Sequence, residues 1–145
     1  MKSMLLIATL VLLAGCARLF PEKQPRSIPP PSAEAQWTKV SENEKYLSYA
    51  DKATMRQSGD SIRVWRLTDF KAPEMSDGKS GSSAKQQTEF DCTNERYRGL
   101  DFILYAGRGG EGAVVYSNTE PGSNWRPVSP DTQIAEVWKF VCGKR

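Results

Sequence analysis

Residues 85–106 read KQQTEFDCTNERYRGLDFILYA, and they contain two strand patterns separated by a short polar turn. Strict alternation of apolar and polar side chains is typical of a half-buried strand. Residues 85–92 alternate in this way and predict a strand whose inward face ends in Cys92. The predicted inward face consists of Gln86, Thr88, Phe90 and Cys92, and the outward face of Lys85, Gln87, Glu89 and Asp91. Residues 97–106 form the strongest strand pattern, because Leu100, Phe102 and Leu104 share one face.

Upstream of this pair the chain also favours strands. Tyr46–Asp51 alternates clearly and Ala53–Ser58 alternates weakly. Gly59-Asp60 is a two-residue hairpin signal before Ile62–Phe70, which carries large apolar side chains on both faces and predicts a central strand. Lys71–Ser83 is rich in Ser, Gly, Asp and Lys and predicts a loop.

Downstream, the hydrophobic period changes from that of a strand to that of a helix. A glycine-rich turn leads into a short strand at Ala113–Tyr116, and Pro121 to Pro130 reads as irregular. Apolar residues spaced i, i+3, i+4 and i+7 then predict a C-terminal helix, although Val and Trp also favour strands. We expect Ser129 as its N-cap, with Pro130 and Asp131 in the first turn, and Gly143 at its end, before Lys144-Arg145. The apolar stripe consists of Ile134, Val137, Trp138 and Val141.

The N-terminus carries a targeting signal. Met4 to Leu13 is a ten-residue apolar run behind Lys2, too short to span a bilayer and typical of a signal peptide. It ends in LAGC, residues 13–16, which resembles the lipobox of bacterial lipoproteins and predicts lipidation of Cys16. Because no Asp follows Cys16, the analogy favours the outer membrane. The alternative is an ordinary secretory signal with a chance cysteine.

A proline-rich stretch separates this signal from the remainder of the chain. Residues 17–36 contain five prolines, which favour extended polyproline II and predict a spacer. We therefore divide the chain into a signal peptide (1–15), a lipidated Cys16 with its linker (16–36) and one folded domain (37–145).

The charge balance excludes one class of partner. The chain has 20 basic and 17 acidic residues and no His. Removing the four basic and two acidic residues of 1–36 leaves 16 and 15 in the domain, which is nearly neutral. Nucleic-acid-binding domains are usually strongly basic, so we expect no nucleic-acid partner.

Two cysteines remain once Cys16 is assigned to the lipid. Cys92 and Cys142 lie in a compartment that permits disulfides, which predicts one bridge between them. The alternatives are a thiol nucleophile or a metal pair, but without His neither has a base or enough ligands.

Two local patterns resemble chemical sites. Residues 107–112 spell GxGxxG, but a strand pattern follows where a dinucleotide site needs a helix, so we expect a flexible hairpin turn. Asp91 and Glu95 could be imagined as an acid and base, but surface carboxylates are the default. We therefore predict no catalytic residue, no cofactor, no metal and no enzymatic activity.

A series of short motifs runs in a fixed order along the predicted domain. The motifs are Trp37, Tyr49–Asp51, Gly59, Val64–Phe70, Ser83–Lys85, Glu89–Cys92, Arg96–Arg98, the GEGAVV turn at 110–115, Trp125–Pro130, Trp138 and Cys142. Their order resembles the surface-adhesin protein E-like family of Gram-negative lipoproteins. The resemblance implies an α+β fold: an antiparallel β-sheet with a C-terminal α-helix on its concave face, tethered by a disulfide. It supports the fold more than the function.

Two functions are compatible with these features. One is an outer-membrane lipoprotein displaying a small binding domain, an adhesin for host or extracellular proteins. The other is an inward-facing periplasmic envelope lipoprotein with a structural or assembly role and no host ligand. In either case the membrane is a partner through the lipid on Cys16. Open sheet edges also allow homodimerisation or strand addition by a protein ligand.

Overall fold

The computed structural model describes residues 35–118 and 124–143. The predicted signal peptide, the lipobox at Cys16 and nearly all of the spacer lie outside these ranges, as do Lys144 and Arg145. The strands are β1 (Trp37–Glu42), β2 (Tyr46–Asp51), β3 (Arg56–Ser58), β4 (Ser61–Ser76), β5 (Lys79–Asp91), β6 (Arg96–Tyr105), β7 (Val114–Asn118) and β8 (Arg126–Pro127), and the helix is α1 (Gln133–Cys142).

The strands form one antiparallel sheet in the order β1-β2-β4-β5-β6-β7. Two short strands lie beside this path, β3 next to β4 and β8 next to β6. Most neighbours in the sheet are consecutive in sequence, so short turns connect them. The predicted α+β fold, an antiparallel sheet with one C-terminal helix, is confirmed.

The two faces of the sheet differ in what covers them. Helix α1 covers one face, which we call the helix face. Val64, Phe90 and Ala50 are fully buried there and pack with α1. On the opposite face, Trp65 is 7% exposed and clusters with Ile103. The prediction that β4 is a central strand covered on both faces is confirmed.

Helix α1 packs its apolar stripe against the helix face. Val137, Trp138 and Val141 are all buried there. The predicted N-cap was wrong: Thr132, not Ser129, caps the helix, and its hydroxyl accepts from the backbone amide of Ala135 at 3.3 Å. Ser129 instead accepts, through its carbonyl, a bond from the Thr132 hydroxyl, because Asp131 with φ 58° turns the chain just before the helix.

The last turn of α1 is tied to the sheet. Cys142 ends the helix, Gly143 adopts the predicted left-handed C-cap (φ 66°), and Cys142 is bonded to Cys92 with 5.5 Å between the Cα atoms. Cys92 directly follows β5, two residues after the buried Phe90. The predicted disulfide is confirmed.

Lys71–Ser83 is not a loop, and that prediction was wrong. The segment is most of a hairpin in which β4 continues to Ser76 and β5 begins at Lys79. Asp77 and Gly78 both have positive φ, 48° and 70°, which is the conformation of a two-residue type I′ turn. Exposure explains the polar composition, because most of this ribbon is exposed to solvent.

Smaller differences lie near the two ends of the domain. The sequence assigned no element to Trp37–Glu42, which is edge strand β1. Only residues 56–58 of the weak pattern Ala53–Ser58 form a strand, because Lys52–Thr54 makes a 3₁₀ turn. Within the irregular segment 121–130, Arg126-Pro127 pairs with β6, and residues 119–123 lie outside the described ranges.

A polar group is buried on the helix face beside the apolar core. Arg66 is 6% exposed. Its Nε donates to the Thr88 hydroxyl at 3.0 Å, and its Nη2 donates to Oε1 of the Gln86 side chain. Burial lowers the pKa of Arg66 to about 10. Gln133 at the start of α1 donates to the Thr68 hydroxyl at 2.9 Å. The bond from Gln133 to Thr68 helps to specify how the helix sits on the sheet, since an unpaired buried polar group is costly.

Candidate functional site

The face opposite the helix carries two rows of charged and polar side chains. Residues paired across neighbouring antiparallel strands point to the same face, so each row runs straight across β3, β4, β5 and β6. The first row is Arg56, Arg63, Glu89 and Arg98, and the second is Ser58, Ser61, Asp91 and Arg96. The two rows bring four arginines and two carboxylates together at one end of the sheet.

Glu89 lies between two arginines of the first row. Its Oε2 accepts from Nε of Arg98 at 2.7 Å and from Nη2 at 2.6 Å, and its Oε1 accepts from Nε of Arg63 at 3.4 Å. Glu89 is only 5% exposed. The register confirms the prediction that Glu89 and Asp91 lie on the face of β5 opposite Phe90, but their burial was not expected from the sequence. Both carboxylates are buried because arginine side chains cover and neutralise them.

Asp91 organises the turn between β5 and β6. Its Oδ1 accepts from the amides of Thr93 and Asn94, and its Oδ2 accepts from Nδ2 of Asn94 and from Nε of Arg96, both at 2.9 Å. Bonds from Asn94, and then Arg96, lower the pKa of Asp91 to about 2. Asp91 is therefore not the surface carboxylate expected from the sequence. Its hydrogen bonds give it a structural role in the turn.

Trp125 stacks on two of the arginines. The Cζ atoms of Arg96 and Arg98 lie 5.0 and 4.6 Å from the centroid of its ring. Strand β8 brings it there by pairing Arg126-Pro127 with Tyr97 and Arg96. We name Arg56, Arg63, Arg96, Arg98 and Trp125 the arginine cluster. The exposed fractions of the side chains of Arg63, Arg96 and Arg98 are 49%, 43% and 29%.

We predicted no contact residue from the sequence, and the arginine cluster becomes visible only in the structure. Its members are separated by up to 69 positions (125 − 56), and only the strand register places them together. One local signal could have indicated the arginine cluster. Two arginines alternate at Arg96 and Arg98, and two carboxylates alternate at Glu89 and Asp91 on the neighbouring strand.

The sheet has two edges of different character. Strand β1 carries Lys39 and Glu42, which form an ion pair at 2.5 Å, and it contains a bulge. Lys39, together with Lys71, lowers the pKa of Glu42 to about 2. Charges and bulges protect an edge from pairing with another chain. Strand β7 reads VVYSN, without a charge, and Val114 is 56% exposed.

The GxGxxG segment 107–112 is a hairpin loop, as predicted, although hydrogen bonds to the sheet hold a loop that we expected to be flexible. It is followed directly by strand β7, so no helix start is available for a pyrophosphate. The loop is fixed to the sheet: the Gly109 amide donates to Asp69 Oδ1 at 2.6 Å, and the Gly110 amide donates to the Ser83 hydroxyl at 2.9 Å.

An open cleft of about 300 Å³ lies between the β1–β2 turn and the start of α1. Its lining is mostly polar and acidic, and includes Glu42, Asp131 and Glu136. Within residues 35–118 and 124–143, no group of His, Cys, Asp and Glu side chains could hold a metal ion. In the same ranges no helix is long and apolar enough to cross a membrane.

Comparison with known proteins identifies the domain. The family model of surface-adhesin protein E matches residues 37–143, which is almost the whole predicted domain. No curated protein has a significantly similar sequence.

Solved structures of Haemophilus influenzae protein E share the fold at 12% sequence identity. Crystal form II of that protein has a TM-score of 0.54, and the match covers 73% of this chain and 96% of that chain. A selenomethionine form has a TM-score of 0.53, with 72% and 90% covered. With the family model over residues 37–143, the chain belongs to the surface-adhesin protein E family, a family of surface-associated bacterial adhesins and not of enzymes.

Proposed function

We propose that this protein is an outer-membrane lipoprotein whose domain binds host or other extracellular proteins. The observation that carries the proposal is the family match over residues 37–143, since the family is one of surface adhesins. The domain acts by binding and performs no chemistry of its own.

The proposed anchor is a lipid on Cys16. The apolar run 4–13 and the LAGC motif support it. The first strand and the family match both begin only at Trp37, which also supports it. The family match therefore does not include the motif. Each CH₂ group buried in the bilayer contributes about 0.8 kcal/mol to the free energy of membrane binding. Because a single acyl chain binds reversibly, more than one chain would be needed to hold the protein permanently.

The proline-rich stretch would separate the domain from the lipid. Twenty residues (17–36) at about 3.1 Å each in polyproline II reach about 60 Å. That reach would carry a binding domain clear of the lipid headgroups.

The exposed features of the domain support protein binding. Trp and Arg are enriched at interface hot spots, and the arginine cluster presents both. Strand β7 is the last strand in the sheet order and carries no charge, so a strand from a ligand or from a second copy could be added there, and a homodimer forms part of the proposal.

Replacing Cys16→Ala tests the anchor. The variant should leave the membrane fraction and become soluble, because it has no thiol to acylate. A variant that still sediments with the envelope after a high-salt wash would contradict the lipid anchor.

Protease treatment of intact cells tests the orientation. A surface-displayed domain is digested while a periplasmic marker in the same cells stays whole. If the domain is digested only after the outer membrane is permeabilised, the protein faces inward and the periplasmic assembly role replaces the adhesin.

A further inference from the structure

We propose that the arginine cluster is a docking surface for an acidic segment of a partner protein, one that presents Asp or Glu side chains at alternate positions. The inference rests on the proposed function, because it assigns that binding activity to a surface and gives the partner its chemistry.

The geometry of the arginines supports recognition of carboxylates. In the bonds from Arg63 to Glu89 and from Arg96 to Asp91, only Nε donates, which leaves both terminal nitrogens of each guanidinium outside these bonds. Terminal guanidinium nitrogens bind carboxylates in a forked, charge-assisted geometry. About half of each side chain is exposed, so an approaching carboxylate can reach it.

The arginines are held in place before any partner arrives. Glu89 fixes Arg63 and Arg98, and the ring of Trp125 lies under Arg98 and Arg96. Ordering a flexible side chain on binding lowers affinity, and fixing it beforehand removes that cost.

The charge balance selects the class of partner. The two rows contain four arginines against two carboxylates, and Asp101 in the next row reduces the excess of these rows to one positive charge. The domain as a whole is nearly neutral, with 16 basic and 15 acidic residues. Binding of a long polyanion needs a strongly basic domain. A local excess of positive charge on a nearly neutral domain fits a short acidic protein segment better than a long polyanion.

The dimensions also fit an extended peptide. Neighbouring strands lie about 4.8 Å apart, so the row from β3 to β6 spans about 14 Å. Alternate side chains of an extended peptide are about 7 Å apart on one face. Three alternate acidic residues would therefore cover the row.

The test uses the full chain, purified in a nonionic detergent, and a fluorescein-labelled peptide of six Glu-Ser repeats. A Gln-Ser peptide of equal length is the neutral control. The double variant Arg63→Gln/Arg96→Gln removes two cluster charges. The control variant Lys45→Gln/Lys79→Gln removes two charges from exposed lysines, one in the turn between β1 and β2 and one at the start of β5. Hydrogen bonds to charged groups are strong enough that we expect at least about a tenfold loss of affinity in the first variant and less than about twofold in the second.

A measurement on the unaltered chain covers the case in which the arginine variant unfolds. On addition of the Glu-Ser peptide, NMR shifts should concentrate in residues 56–63, 89–98 and 125. Shifts elsewhere, equal affinity of both variants, or no peptide binding at millimolar concentration would overturn the proposal. So would binding of a heparin oligosaccharide at this face without binding of the peptide. A chain that attaches cells to a protein independently of these arginines would refute this inference and leave the proposed function standing.

Discussion

The disulfide between Cys92 and Cys142 should contribute a large share of the stability of the domain. The bridge closes a loop of 50 residues, which corresponds to about 4 kcal/mol in the chain-entropy model. A small domain is stable by only about 5–15 kcal/mol in total. The double variant Cys92→Ala/Cys142→Ala should therefore lose about 4 kcal/mol of stability, with the end of α1 released first.

Urea unfolding followed by tryptophan fluorescence measures this contribution. With a slope of about 1–3 kcal/mol/M, a loss of about 4 kcal/mol lowers the midpoint by roughly 1–4 M. Reducing the unaltered protein should produce the same shift, whereas Cys16→Ala, which keeps the bridge, should unfold like the unaltered domain. A double variant that loses less than about 1 kcal/mol would refute the reasoning, because the bridge would then constrain little of the unfolded chain.

Three further predictions concern single positions. Gly81→Ala should be strongly destabilising, because the added Cβ would lie 2.5 Å from a side-chain carbon and 2.7 Å from a backbone oxygen of β6. Gly99→Ala is the matched control, because its Cβ would have no atom within 4 Å, and thermal unfolding compares the two variants. Thr132→Ala removes the N-cap of α1 and should cost about 1 kcal/mol in urea unfolding, while Thr132→Ser should cost little. Asp91 has a folded-state pKa of about 2, lowered mainly by Asn94, so its stabilisation is complete above the unfolded pKa of about 4 and is lost as the pH falls towards 2. Asp91→Asn should flatten the dependence of stability on pH between 5 and 2, and an unchanged slope would show that other carboxylates cause it.

Local patterns were sufficient to predict much of the fold. Strand β2 and the stripe of α1 follow from periodicity, and the Cys92–Cys142 bridge follows from the number of cysteines and the compartment. The N-cap of α1 was predicted wrongly because the sequence offers two suitable capping residues close together. Ser129 and Thr132 are both good caps, and only the turn at Asp131 decides between them.

The hairpin at 71–83 and the arginine cluster were missed for different physical reasons. The hairpin is exposed, so it lacks the apolar alternation by which strands are recognised, and Asp77-Gly78 was its only signal. The cluster depends on register across four strands, and charged side chains carry no information about register until a sheet is formed. The burial of Glu89 follows from its arginine partners on β4 and β6 and not from its own strand.

Attachment of whole cells to protein-coated surfaces tests the central claim most directly. A non-adherent laboratory bacterium expressing the full chain is compared with the same strain expressing Cys16→Ala, on a panel of immobilised extracellular matrix proteins, with surface display checked by antibody labelling. The account predicts that cells displaying the full chain attach to at least one of these proteins above the level of the Cys16→Ala strain. Equal attachment of the two strains across the panel, with the domain labelled at the surface of the first, would contradict it.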